Sequence, residues 1–174
     1  MKLKTLFALL LFLVTRMAQA APGVACMDRE RQSFDKSAFY GIMASGDPGA
    51  VNSELTLLAN ASFPEKQAYE GALLMRKAGL LTMPGEKLRS FKSGRIKLES
   101  ALSKDSSNAE YHFLRLIIQE HAPGIVRYSK DIQKDASFIR RSFKDLSPAI
   151  QKAILNYSKN SKNLNAEDLD PKKD

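Results

Sequence analysis

The sequence is short of the residues from which most catalytic and metal-binding sites are built. Its 174 residues include one cysteine, two histidines and no tryptophan. A lone Cys26 excludes an internal disulfide and a zinc site made of thiolates. His112 and His121 point roughly 180° apart on a straight helix at about 100° per residue, so they do not share one metal ion. Neither stands in a His-Glu-x-x-His pattern or beside a serine in a nucleophile-elbow pattern. Gly41, Gly46 and Gly49 are scattered over helix ends instead of forming a phosphate loop between a strand and a helix. No stretch alternates strictly over several turns, and no Asn-Gly or Asp-Gly hairpin signal occurs. The expectation is a protein that is not an enzyme, with no catalytic set, no metal and no cofactor.

What is present begins with an export pattern. Lys2 and Lys4 precede an apolar run over residues 6–14, and Ala18-Gln19-Ala20 forms a small-residue cleavage site. The run is far shorter than the ~20 residues that span a bilayer as a helix. Residues 1–20 are therefore expected to be a cleaved signal peptide, with no transmembrane segment left afterwards. Its loss lowers the formal charge from +8 to about +5. Residues 21–27 read as a flexible mature N-terminus. Lipid anchoring through Cys26 is the less favoured alternative, because Gly23 stands where a leucine-like residue belongs. The expected location is periplasmic or secreted.

The remaining pattern is helical spacing interrupted by stop signals. It predicts an all-α domain over residues 28–158, with about seven short antiparallel helices. The first covers 28–44, with Phe34, Ala38 and Ile42 inward. Asp47-Pro48 caps the second, because Asp accepts an orphan amide and Pro has none to orphan. Ser62 with Glu65 has capping-box spacing before the third. The fourth carries Leu88, Phe91, Leu98, Ala101 and Leu102 inward and Lys87, Arg89, Lys92 and Lys97 outward. The fifth, over 109–120, is apolar almost all round and is expected to be covered on more than one side. A sixth is expected to bury Ile125, Tyr128, Ile132, Ala136, Ile139 and Phe143. A seventh follows Ser147-Pro148. Residues 159–174, polar with two isolated leucines, are expected to be disordered.

These helices suit either a compact bundle or stacked hairpins. Ala101-Leu102-Ser103-Lys104-Asp105-Ser106-Ser107-Asn108-Ala109-Glu110 resembles the junction between two tetratricopeptide repeats, Ser106 replacing the usual proline. No second copy appears at a 34-residue period. The wider run from Ala68-Tyr69 to Pro123 resembles small exported bacterial helical proteins. That resemblance implies a fold and a compartment, and no catalytic residue.

Two candidate sites follow. Tyr111, Arg115 and Gln119 lie four apart on the fifth helix. An Arg fork with neutral donors on either side suits a peptide terminus or an acidic side chain in a groove. The alternative is that Arg115 pairs with an acidic residue of a neighbouring helix, such as Asp135. The second candidate is basic: Lys87, Arg89 and Lys92 on the fourth helix, with Arg140, Arg141 and Lys144 on the sixth. These would attract an anionic membrane surface or an envelope polyanion. Nucleic acid is not expected, since aromatics are not interleaved with the charges and export separates the chain from it. The leading expectation is a module that binds a protein or peptide in the cell envelope; the alternative is a basic adaptor on an anionic surface.

Overall fold

The structure, a computed structural model, describes residues 34–169. The expected signal peptide, Cys26 and the stretch 21–27 lie outside the described residues. Seven α-helices occur among the described residues: α1 Lys36–Ser45, α2 Pro48–Asn60, α3 Lys66–Leu80, α4 Pro84–Lys104, α5 Ala109–His121, α6 Ile132–Ser142 and α7 Pro148–Ser158. Three short 3-10 turns join or follow them, at Gly124–Val126, Phe143–Asp145 and Ala166–Leu169. No strand occurs among the described residues. The all-α expectation holds.

Local chemistry explains most boundaries. The Asp47 carboxylate accepts the Ala50 amide at 2.6 Å with Pro48 in the first turn, as the sequence predicts. Asp35 caps α1 in the same way, accepting from Ala38 at 3.0 Å. α1 stops at Gly46, whose φ of 63° is open to glycine at little cost. Arg76 of α3 reaches over that end and its Nε donates to the Met43 carbonyl at 2.9 Å. A side chain at Gly46 would collide with this guanidinium.

Three local expectations are corrected. Ser62 does not cap α3: the N-cap position is Glu65, with no side-chain cap bond, because residues 64–65 form a turn before the helix. The buried side of α1 is Phe39, Tyr40 and Met43; Ala38 is exposed. The sixth helix begins at Ile132, not near Ile125, because Arg127 takes a left-handed φ of 46° that ends the preceding 3-10 turn.

The core forms around α5. It contacts α3, α4 and α6, and the longest shared contact in the protein is the α3–α4 hairpin. α7 returns to pack on α1, and residues from Asp35 onward form one unit. The fully buried side chains Phe39, Tyr69, Leu73, Leu98, Phe113, Leu114, Leu116, Ile139 and Ile154 come from six helices. Their shared burial is the main stabilising term.

The α3–α4 hairpin closes where two glycines meet. A Cβ on Gly71 would lie 2.8 Å from the Gly94 carbonyl oxygen and 2.7 Å from the Leu98 nitrogen. A Cβ on Gly94 would lie 2.5 Å from the Gly71 carbonyl oxygen. Backbone cannot yield as a side chain can, so the two helices touch here only because both residues lack a side chain. Gly79, also in α3, has open space around it. Gly71→Ala is therefore expected to destabilise by about 1–3 kcal/mol. Gly79→Ala is expected to stabilise by about 0.5–1 kcal/mol through helix propensity. Urea melts of the two variants check this; a shift of the same sign in both would refute the close approach.

The polar segment after α7 is described through residue 169 and ends in the 3-10 turn Ala166–Leu169. Its two leucines, Leu164 and Leu169, are buried. Just before Leu164, Ser161 Oγ and Asn163 Nδ2 donate to Glu120 of α5 at 2.9 and 2.5 Å. Arg140 of α6 donates to the Asn163 carbonyl at 2.6 Å and lies 3.3 Å from Asp168. Composition alone marks this segment as polar, but two apolar anchors and four polar contacts hold it.

Candidate functional site

α5 is entered through Asn108, whose side chain accepts the Glu110 and Tyr111 amides at 3.1 and 3.3 Å. The helix then runs through the interior, carrying five polar or ionisable side chains with it: Glu110, His112, Arg115, Gln119 and Tyr111 are all buried. Buried charge is costly unless paired. Three clusters pair the charged groups, while the buried amide of Gln119 has no hydrogen-bond partner among the described residues.

The first is built on Asp135 of α6, which is fully buried. Arg115 forks onto it, Nε to Oδ2 at 2.7 Å and Nη2 to Oδ1 at 2.6 Å. Its third nitrogen, Nη1, donates to Glu99 of α4 at 3.1 Å. Burial works against the guanidinium charge, but the bonds and charge of Asp135, with Glu99 and Asp131, hold it protonated beyond the ordinary range. His112 adds Nδ1 at 2.7 Å from Asp135 Oδ1, and its Nε2 lies 2.9 Å from the Ser106 carbonyl oxygen. Its ring stacks on Phe138 with centroids 4.2 Å apart. A carboxylate and a carbonyl only accept, so both ring nitrogens must donate for both bonds to form.

The second cluster centres on Glu110. It accepts from Tyr40 at 2.9 Å, from Tyr69 at 2.5 Å and from Lys36 at 2.7 Å, so one carboxylate joins α1, α3 and α5. The third centres on Glu120, which accepts from Tyr157 of α7 at 2.5 Å and from the tail residues already described. Tyr128 similarly donates to Glu99 at 2.7 Å. Burial, and then the neighbouring carboxylates, push the Tyr40, Tyr69, Tyr128 and Tyr157 phenols above their ordinary range.

The expected groove stripe is thus inside the protein. Tyr111, Arg115 and Gln119 share a face as the spacing predicts, yet all three are buried. Arg115 is committed to Asp135, which is the alternative given above, and so the three do not line an open groove. The His112–Asp135 pair has the outline of a base and its orienting acid, but the Nε2 that would face a substrate is held by Ser106 instead. No group of three or more metal-ligating residues occurs among the described residues. The arrangement can hold helices in register; it offers no open reactive atom.

The basic candidates divide. Lys87, Arg89 and Lys92 are exposed, and among the described residues they make neither an ion pair nor a side-chain hydrogen bond. Arg140 is engaged by the tail. Arg141 lies over the Phe138 ring at 5.8 Å, and Lys144 is exposed. Residues missed by the sequence reading complete the α4 surface. Leu88, expected inward, is 49% exposed, and Met83 and Ile96 are 61% and 70% exposed. On the helical wheel Leu88 sits near the edge of the buried face, in the first two turns where no described element covers it. Ile96 could have been found in the sequence as an apolar residue on the charged side of α4.

Comparison with family models, with curated proteins and with solved structures finds no match for this chain.

Proposed function

We propose that this protein is an exported, non-enzymatic docking module of the cell envelope, and that its recognition surface is the outward side of α4. One observation carries this reading: Arg89 and Lys92 are exposed on that side without ionic partners, while the charges of α5 are spent inside the fold. Among the two expectations for function, this favours the basic adaptor on an anionic surface over the peptide groove, whose residues are buried. The export pattern of residues 1–20 supports the compartment. The engaged ring of His112 supports a role other than catalysis.

A tetratricopeptide-like architecture is part of the same proposal. α5 packs in the angle of the α3–α4 hairpin, touching both, and α6 then packs on α5. That order supports two stacked helical hairpins joined at the Asp105–Asn108 turn, where the sequence resemblance lies. The hairpin stack would hold α4 as a rigid edge.

Retention on an isolated envelope fraction tests the reading. The protein should sediment with the fraction at low salt and be released as salt rises, since exposed charges are screened within about 8–10 Å at physiological ionic strength. Retention that ignores salt, or no retention at low salt, would refute it.

A further inference from the structure

The outward side of α4 is not simply basic. Taking Ile96 as its centre, Arg89 lies about 20° and Lys92 about 40° away, and Leu88 about 80° away, at about 100° per residue. Met83 sits at the N-cap of the same helix. Two large apolar side chains, Leu88 and Ile96, and two bases, Arg89 and Lys92, therefore share this side over about 12 Å of helix, at 1.5 Å per residue. Two acidic residues flank this side, Glu86 about 80° away and Glu99 about 60° away on the other flank, the latter bonded to Arg115 and Tyr128; Ser93, Ser100 and Ser103 lie between them. Lys87 falls on the far side of the wheel and belongs to the helix end.

The turn beside α4 extends the same character. Tyr128 is fixed against α4, with its ring edge-on to Phe91 at 5.6 Å, the Arg95 guanidinium 4.9 Å from its centroid, and its hydroxyl on Glu99. Close to it in the chain are Ile125, 90% exposed, and exposed Arg127 and Lys130.

The shape discriminates between partners. A partner protein would need a groove of its own to receive this helix side. The outer side of one helix is convex, with its apolar side chains projecting singly among cations. An interfacial bilayer surface fits such a face: the headgroup–acyl boundary receives protruding apolar side chains without a matching pocket, and anionic headgroups meet the flanking Lys and Arg. No helix among the described residues is long and apolar enough to cross a membrane, so contact would be at the surface.

We infer that the outer side of α4 docks on an anionic phospholipid bilayer, with Leu88 and Ile96 entering the headgroup–acyl boundary and Arg89 and Lys92 meeting phosphate groups. This rests on the docking function proposed above and names the ligand of that surface.

The test is co-sedimentation of protein purified after export with vesicles of mixed phosphatidylglycerol and phosphatidylcholine, against phosphatidylcholine alone. Binding is expected only to the anionic vesicles. Arg89→Glu with Lys92→Glu should weaken it more than about 25-fold, at about fivefold for each basic residue lost. Leu88→Ser with Ile96→Ser should weaken it about tenfold or more at unchanged net charge. A charge-matched control, Arg141→Glu with Lys144→Glu, should stay within about twofold of the parent at moderate salt. All these substitutions are on exposed side chains, and melting temperatures will show whether each variant is folded. Equal loss in the control pair, or no loss in the serine pair, would overturn the inference. If anionic vesicles do not bind but the α4 charge pair still releases the protein from the envelope fraction, the lipid assignment falls and a protein or other polyanion is the partner. If the α4 pair changes neither, the docking surface itself is wrong.

Discussion

Raising the pH past 10 is expected to unfold this protein over a narrow range, without prior titration of its tyrosines. Tyr40, Tyr69 and Tyr128 are each buried and each donate to a carboxylate, which raises their phenol pKa above the ordinary value. In the unfolded chain the same phenols ionise near 10. Above that pH the unfolded state binds fewer protons than the folded state, so stability falls as pH rises. Each such group contributes a slope of up to about 1.4 kcal/mol per pH unit, or about 4 kcal/mol per unit for the three. Half-buried Tyr157, held by Glu120, adds a smaller part. Against a stability of about 5–15 kcal/mol, the transition should fall within about one to three units above pH 10. Phenolate absorbance near 295 nm and helical circular dichroism should therefore change together. Smooth phenolate formation centred near pH 10 with the helices intact would contradict the buried tyrosine–carboxylate pairs.

The second large effect concerns Asp135. Removing it leaves Arg115 and His112 without their shared acceptor in the interior between α5 and α6. Breaking a buried pair from one side costs about 3–5 kcal/mol, because the remaining charge stays buried without compensation. Asp135→Ala is expected to lose that much in a urea melt. Asp131→Ala is the contrast: its carboxylate is 3.8 Å from Arg115 and partly exposed, so its loss should cost less than about 1 kcal/mol. Similar costs for the two would show that Asp135 is not the anchor of α6.

The fold was largely legible because its signals are local. Asp47-Pro48, Pro84 and Ser147-Pro148 each mark a helix start whatever packs around it, and the apolar girth of α5 foretold burial on several sides. The misread cap at Ser62 and start of α6 come from local turns at residues 64–65 and Arg127; the others depended on what lies across from a residue, which spacing does not contain. Tyr111, Arg115 and Gln119 do share a stripe, but the approach of α6 turns that stripe into an interior seam. Arg115 beside Asp135 was one of two readings the sequence allowed, and only the position of α6 separates them. Leu88 has the right period for the core and lies beyond the part of α4 that is covered. Leu164 and Leu169 stand alone among polar neighbours in the sequence, and only folding buries them. The tyrosine–carboxylate bonds span 29–70 residues of sequence and leave no periodic trace.

The division of labour between α5, whose charges hold the fold, and the outward Arg89 and Lys92 of α4 is tested most directly by measuring melting temperature and envelope retention on the same two variants. Arg115→Ala should lower the melting temperature by roughly 8 °C or more, from a loss of about 3 kcal/mol. Assayed well below that temperature, it should be retained like the parent. Arg89→Glu with Lys92→Glu should melt within about 2 °C of the parent, as exposed unpaired residues do, and should be released. The opposite pattern, with retention lost in Arg115→Ala at an unchanged melting temperature and kept in the α4 pair, would place recognition on α5 and contradict the assignment.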